Sequence, residues 1–196
     1  MRKQFITACL YTLVTTVLLG LGYPLAVTGL AHLLMPAKAN GELITKDGVV
    51  VGSKLIGQPF TGSGYFNSRP SAAGTGYDAA NSSGSNLGPT NATLIARVDQ
   101  SVQSWRRREA KFENRRTDVP VDLVTTSGSG LDPDITVAAA EYQVPSVAQS
   151  RGLPADQVKH LVQSHIEPRQ FGILGEPRVN VLELNLALDA LSARHK

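Results

Sequence analysis

The sequence predicts an α+β protein, with one N-terminal transmembrane helix followed by a single mixed α/β extracytoplasmic domain. Three observations carry that prediction. Residues Phe5 to Met35 contain no Asp, Glu, Lys or Arg. Beyond them, short β-branched runs alternate with stretches whose apolar residues recur at helical spacing. The rest of the chain, residues 40–196, is long enough for one domain with its own core and too short to divide comfortably into two.

As a continuous helix rising ~1.5 Å per residue, the apolar run at 5–35 would be about 46 Å long, against a bilayer core of about 30 Å. Arg2 and Lys3 precede it, whereas Lys38, Glu42, Lys46 and Asp47 make the far flank mixed. The positive-inside rule therefore puts residues 1–4 in the cytoplasm and the domain outside a cell inner (plasma) membrane. Ala37-Lys38-Ala39 has the small-x-small shape of a signal-peptidase site, but a signal h-region of about 7 to 15 residues is far shorter than this run. Ala8, Thr12, Thr16 and Gly20 recur every fourth residue and predict a ridge of small side chains that a partner helix could approach closely. The competing reading is that the threonines bond their own i−4 carbonyls. Pro24, after Gly20 and Gly22, is expected to kink the helix and set Leu25 to Met35 apart.

Cys9, the single cysteine, lies inside this run, so the outer domain carries no disulfide and packing must hold it. A formal charge of +3 gives no reason to expect nucleic acid. The basic cluster Arg106, Arg107, Arg108, Lys111, Arg115 and Arg116 reads as a solvated helix face.

After the anchor, Leu43-Ile44-Thr45 and Val49-Val50-Val51 flank Lys46-Asp47-Gly48, a hairpin with Asp-Gly in its turn. Leu55-Ile56 reads as a further strand. Gly57 to Asn91 is rich in Gly, Ser, Asn and Pro and lacks periodicity, yet Phe60, Tyr65, Phe66 and Tyr77 predict an ordered loop rather than a linker. Asn91 or Thr90 caps a helix with Leu94, Ile95, Val98, Val102 and Trp105 on one face, ending before Pro120. Val121 to Thr125 reads as a short buried strand. A helix through Ala138 to Gln143 stops near Pro145, and Val147 to Arg151 forms a separate turn closed by Gly152. Pro154 opens the next helix, with Val158, Leu161, Val162 and His165 near one face. Gly175-Glu176-Pro177-Arg178 reads as a turn, and Asn180 with Glu183 as a capping box. Val181 to Leu191 alternates like a strand in part, but Ala187 to Leu191 favour helix.

Catalytic patterns are sparse. There is no Gly-x4-Gly-Lys-Ser/Thr loop to wrap a phosphate, and no zinc-protease or paired-cysteine spacing. Asp132 and Asp134 flank a proline and read as a turn rather than a cation site. The remaining enzymatic candidate is a membrane-anchored serine hydrolase using Ser127 or Ser129, with His160 or His165 as base. Ser-Gly-Ser-Gly is not, however, the Gly-x-Ser-x-Gly elbow that such chemistry uses.

Several motifs, in order, resemble one family: Gly52-Ser53, Leu55-Ile56-Gly57-Gln58, Tyr65-Phe66, Arg69-Pro70-Ser71, Gly84-Ser85-Asn86-Leu87, Val119-Pro120-Val121, Ser129-Gly130-Leu131-Asp132 and Asn185-Leu186-Ala187-Leu188-Asp189. They resemble KdpC, the small C subunit of the potassium-transporting P-type ATPase. The resemblance implies a non-catalytic, single-pass subunit, partnered in the membrane lipid by a channel-like potassium-binding subunit and a P-type ATPase subunit. No Asp-Lys-Thr-Gly phosphorylation motif is present. The resemblance further implies a catalytic chaperone that raises the ATP affinity of the hydrolysing subunit. On that resemblance no firmly bound cofactor is expected, ATP could be reached through the complex, and potassium is expected to be handled by the partners. Within Gln143-Val144-Pro145, the Gln143 amide could pair with an adenine edge, although a surface helix residue is the plainer expectation. In the loop, Arg69, Tyr77, Asp78 and Asn86 read as solvent-facing groups that a partner surface would bond. An external domain and cytoplasmic ATP conflict, so any effect on nucleotide affinity is expected to pass through the membrane subunits.

Overall fold

The computed structural model describes residues 1–110 and 118–193. It divides into two compact units, Met1–Val51 and Gly52–Lys196. Lys111, Arg115 and Arg116 of the basic cluster lie outside the described residues.

In the first unit, α1 (Arg2–Thr15) passes through a π-helical stretch, Thr16–Gly22, into α2 (Tyr23–Leu34). Arg2–Leu34 is, among the described residues, the one helix long and apolar enough to cross a membrane. Leu25 to Met35 is thus not set apart by Pro24. Proline lacks an N–H and its ring crowds the carbonyl four residues back, and a wider π turn just before it relieves both demands. Pro24 is the second residue of α2, directly after that π stretch. The helix ends before Pro36, which opens the single turn α3 (Pro36–Ala39). Strands β1 (Leu43–Lys46) and β2 (Val49–Ser53) pair as the expected hairpin. Its turn residues Asp47 and Gly48 both have positive φ, at 52° and 78°, as a two-residue primed turn requires.

The second unit is built on an antiparallel three-stranded sheet that local sequence signals did not reveal. Strands β3 (Asp134–Thr136), β4 (Ile166–Glu167) and β5 (Arg178–Asn180) are ordered β3-β5-β4, with Ile135 and Ile166 both opposite Val179. Helices α5 (Val137–Arg151), α6 (Ala155–Ser164) and α7 (Val181–Ala193) pack with it around Ala139, Val147, Val158, Val162, Leu184 and Leu188. The tail at 181–193 is therefore helix, not strand.

Four local expectations need correction. Leu55-Ile56 is a turn closed by a single bridge between Ser53 and Ile56, not a strand. Val121–Leu123 is a 3₁₀ turn: it joins no sheet, and its Asp122 carboxylate instead accepts from the N–H (2.8 Å) and hydroxyl (3.2 Å) of Thr136, the last residue of β3. Pro145 does not stop its helix; α5 runs unbroken through it. A mid-helix proline costs about 3 kcal/mol in isolation, but Tyr142, Val144, Val147 and Ala148 are buried on both sides and outweigh it. Gly152, at φ 66°, closes α5 as expected, and Pro154 is the N-cap of α6 rather than its first residue.

Caps follow the sequence closely. Asn91 Oδ1 accepts from the N–H groups of Thr93 and Leu94 at the start of α4 (Ala92–Glu109). Asn180 Oδ1 accepts from the Glu183 N–H at 3.1 Å. The Glu183 carboxylate does not complete the box; it pairs with Lys54 at 3.1 Å.

Candidate functional site

Residues Gly57 to Asn91 contain only one short 3₁₀ turn, Ala79–Asn81, yet Phe66 within them is wholly buried. An irregular segment can be buried only if its backbone groups find partners. Two buried amides supply them. Asn185, on α7, accepts from the Phe66 N–H and donates to the Phe66 carbonyl, both at 2.9 Å. Gln143, on α5, does the same for Asn67, accepting from its N–H at 2.7 Å and donating to its carbonyl at 3.2 Å. Each side chain thus stands in for a neighbouring strand. Gln143 also donates to the Ala139 carbonyl at 3.2 Å and is 0% exposed. It is not a surface residue, and both ends of its amide are engaged by its own chain.

The flanking residues reinforce this grip. Arg151 donates to the Gly64 carbonyl at 2.6 Å, stacks 4.3 Å from the Tyr65 ring and pairs with Asp189 at 2.8 Å. Arg108 reaches Asn67 Oδ1 and lies over Trp105, while Trp105 donates to the Leu123 carbonyl at 3.1 Å. Arg106 and Arg107 are exposed, as expected of a solvated face, but Arg108 is part of the clamp.

Further along, the loop lies against residues 127–132. Ser71 donates to the Gly130 carbonyl at 2.6 Å and accepts from the Tyr77 N–H at 2.8 Å. Gly57 and Ser83 donate to the carbonyls of Leu131 and Ser129 at 2.8 and 3.0 Å. Gly130 has φ 69°, and a Cβ there would sit 2.6 Å from the Ser83 carbonyl oxygen. Ser-Gly-Ser-Gly is therefore the seat for the loop. Ser127 is buried, and the ring nitrogen of His165 faces Leu161 and Ser164. No hydrogen bond among the described residues joins a histidine to Ser127 or Ser129, so nothing here favours a hydrolase.

The four loop residues expected to face solvent divide. Arg69 is half-buried, with its guanidinium 3.0 Å from Asp132. Tyr77 donates to the Arg69 carbonyl, and burial pushes its hydroxyl pKa up. Asp78 caps the 3₁₀ turn; hydrogen bonds from the Asn81 amide and the Ala80 N–H hold its carboxyl below the usual range. Asn86 alone is exposed, in left-handed backbone at φ 53°. Asp132 and Asp134 are likewise internal partners, of Arg69 and of Arg178 at 2.8 Å, and no group of metal-ligating side chains occurs among the described residues.

The helix Arg2–Leu34 has no buried residue. Its threonine bonds to the preceding turn come from Thr7 and Thr15, neither of them on the ridge of Ala8, Thr12, Thr16 and Gly20. A Cβ on Gly20 would lie 3.9 Å from Thr16 Cγ2, an ordinary contact between these two positions within the π stretch. A second bare apolar surface went unnoticed in the sequence: Phe171 and Ile173 are 83% and 76% exposed on a loop fastened by Arg169 and Glu176.

Fold and site together define the class: a mixed α/β domain behind one long apolar N-terminal helix, its polar side chains committed to holding an irregular loop. A family model described as K+-transporting ATPase, c chain (KdpC), matches residues 5–190. The potassium-transporting ATPase KdpC subunit of Koribacter versatilis is 57% identical over 189 residues, covering 96% of this chain and 95% of that protein. The subunit of the same name from Bradyrhizobium diazoefficiens is 50% identical over 206 residues, covering 99% and 100%. That from Mycobacterium tuberculosis is 53% identical over 193 residues, covering 97% and 100%. The chain belongs to the KdpC family, the C subunit of the potassium-transporting ATPase.

Proposed function

We propose that this chain is the non-catalytic accessory subunit of a high-affinity, ATP-driven potassium uptake complex. It assembles through its apolar helix with a channel-like potassium-binding subunit and a P-type ATPase subunit. The N-terminus is cytoplasmic and the domain extracytoplasmic. The observation that carries this reading is a division of labour in the chain: its polar groups hold its own loop, while its helix and the tip at Phe171 and Ile173 are bare apolar surface. Large bare apolar surface on a folded chain calls for lipid or protein to cover it.

The catalytic-chaperone role follows as an indirect one. The engagement of Gln143 by Asn67 argues against an adenine pairing with the same amide unless the loop first leaves. The subunit raises ATP affinity by favouring one conformation of the pump, a coupling free energy transmitted through the membrane subunits. Potassium and ATP are then both handled by the partners.

Purification of the tagged chain in mild detergent, with the whole complex co-expressed, tests the assembly. A polytopic potassium subunit and a P-type ATPase are expected to come down with it. Recovery of the chain alone would overturn the proposal.

A further inference from the structure

The loop from Arg169 to Glu176, between β4 and β5, carries the exposed side chains of Phe171, Ile173 and Leu174. Residues 170–175 bear no charge. The two charges that bound them neutralise each other, since Arg169 Nη2 donates to both carboxylate oxygens of Glu176, at 2.7 and 2.6 Å.

The backbone of this tip is closed on itself as well. Gln170 and Leu174 each donate an N–H to the other's carbonyl, both at 2.9 Å. The Gly172 N–H donates to the Arg169 carbonyl at 3.0 Å and the Ile173 N–H to the Gln170 carbonyl at 3.2 Å. Gly172 and Gly175 take positive φ, at 77° and 73°, and so does Phe171, at 54°. For a bulky side chain that conformation is an outlier. Packing within the chain does not offset the strain, because Phe171 is 83% exposed. Strained residues of this kind gather where a structure meets a ligand or partner surface.

These features together describe the surface that covers the tip. A protein interface forms about one hydrogen bond per 100–200 Å² and draws on free donors. Here the N–H groups of Gln170, Gly172, Ile173 and Leu174 are already engaged, and the flanking charges are paired. Hydrocarbon makes that very demand: polar backbone satisfied internally and no bare charge. Reach is also provided for. Only residues 35–51 separate the apolar helix from the second unit, so the tip stays near whichever bilayer the helix spans. Tethering raises the effective concentration enough for a contact of three side chains, too weak to hold a free domain, to persist.

We propose that the tip formed by Phe171, Ile173 and Leu174 is a second membrane contact, dipping into the interfacial layer of the phospholipid bilayer that the helix spans. The proposal rests on the membrane-spanning reading of the helix, and neither on the partner subunits nor on which side of the membrane the domain lies.

The full chain, carrying a nitrobenzoxadiazole dye on one cysteine, would be reconstituted into phosphatidylcholine vesicles with and without a nitroxide on the acyl chains, which quenches a dye in contact with lipid. Dye on the native Cys9, within the apolar helix, gives the reference for full lipid contact. In a Cys9→Ala background, Ile173→Cys should be quenched at least threefold more than Ser104→Cys on α4 or Ser150→Cys on α5, both exposed positions. Adding Phe171→Asp should abolish the difference. Phe171→Gly should reduce it while leaving the thermal midpoint level or higher, since glycine tolerates the positive φ. Quenching at Ile173→Cys no greater than at the two helix positions, or unchanged by Phe171→Asp, would overturn the lipid contact. In the reconstituted complex the quenching should persist; its loss there would make a partner subunit the occupant and overturn the proposal. Absence of quenching at Cys9 would instead sink the membrane-spanning helix on which the proposal rests.

Discussion

Gln143 and Asn185 are residues whose chemistry suggests a ligand and whose geometry assigns them to the fold. Each amide satisfies both backbone groups of one loop residue. Gln143→Leu removes those partners while filling a similar volume, and leaving two such groups unpaired costs about 2–4 kcal/mol. We predict a fall in thermal stability of that size for the full chain in detergent, and a similar fall for Asn185→Leu. A Gln143→Leu protein as stable as wild type would return this amide to the list of ligand contacts. Sequence alone placed Gln143 poorly because glutamine is rarely buried. The line Ala139, Gln143, Val147 at helical spacing was the available hint, since its outer members are apolar.

Elements with local signals were legible: the Asp47-Gly48 turn, the Asn91 cap, the Gly152 stop and the α7 helix. The strands β3, β4 and β5 were not, because segments of two or three residues exist only through pairing with partners distant in sequence. What joins them is partly ionic: Arg178 on β5 pairs with Asp134 on β3 and with Glu167 on β4, both at 2.8 Å. Lys54 bonds Glu167 and Glu183 at 2.9 and 3.1 Å. The Glu167 hydrogen bond is the largest influence holding the lysine above its ordinary 10.5, and Lys54 in turn holds Glu167 below 4.5. A raised lysine contributes stability below its unfolded pKa and loses it as pH climbs through the folded one. A depressed carboxylate contributes above its unfolded pKa and loses it as pH falls through the folded one. The cluster should therefore act between about pH 4.5 and 10.5. These groups are about one-third exposed, so screening leaves roughly 0.5–1 kcal/mol. Lys54→Met should lower denaturation midpoints at pH 7 and converge on wild type near pH 3; a constant offset across pH would mean lost packing instead. In the apolar helix, Gly20→Leu or Ala8→Leu should loosen co-purification with partners, whereas Leu13→Ala and Leu19→Ala on other faces should not. Equal effects from both pairs would leave the small-residue ridge without a special contact.

For the whole molecule the decisive question is which side of the membrane the domain occupies. Arg2 and Lys3 argue for the outside. In a Cys9→Ala background, Ser150→Cys offers an exposed thiol, whereas Ser53 is buried and would report poorly. We expect a membrane-impermeant maleimide to label Ser150→Cys in intact cells. Labelling only after lysis would reverse the topology and revive direct contact with ATP.

The clamp on Phe66 and Asn67 also imposes an order in time. The Phe66 backbone waits for an amide 119 residues further along the chain, on the C-terminal helix. Contacts so distant form late. Until α7 has been synthesised and docked, Phe66 has no seat and its loop is open to proteases. A chain cut short before Asn185 should therefore be cleared by quality control even though the apolar helix and the hairpin are intact. Pulse-chase of such a truncation against the full chain would time the loop's closure during biogenesis.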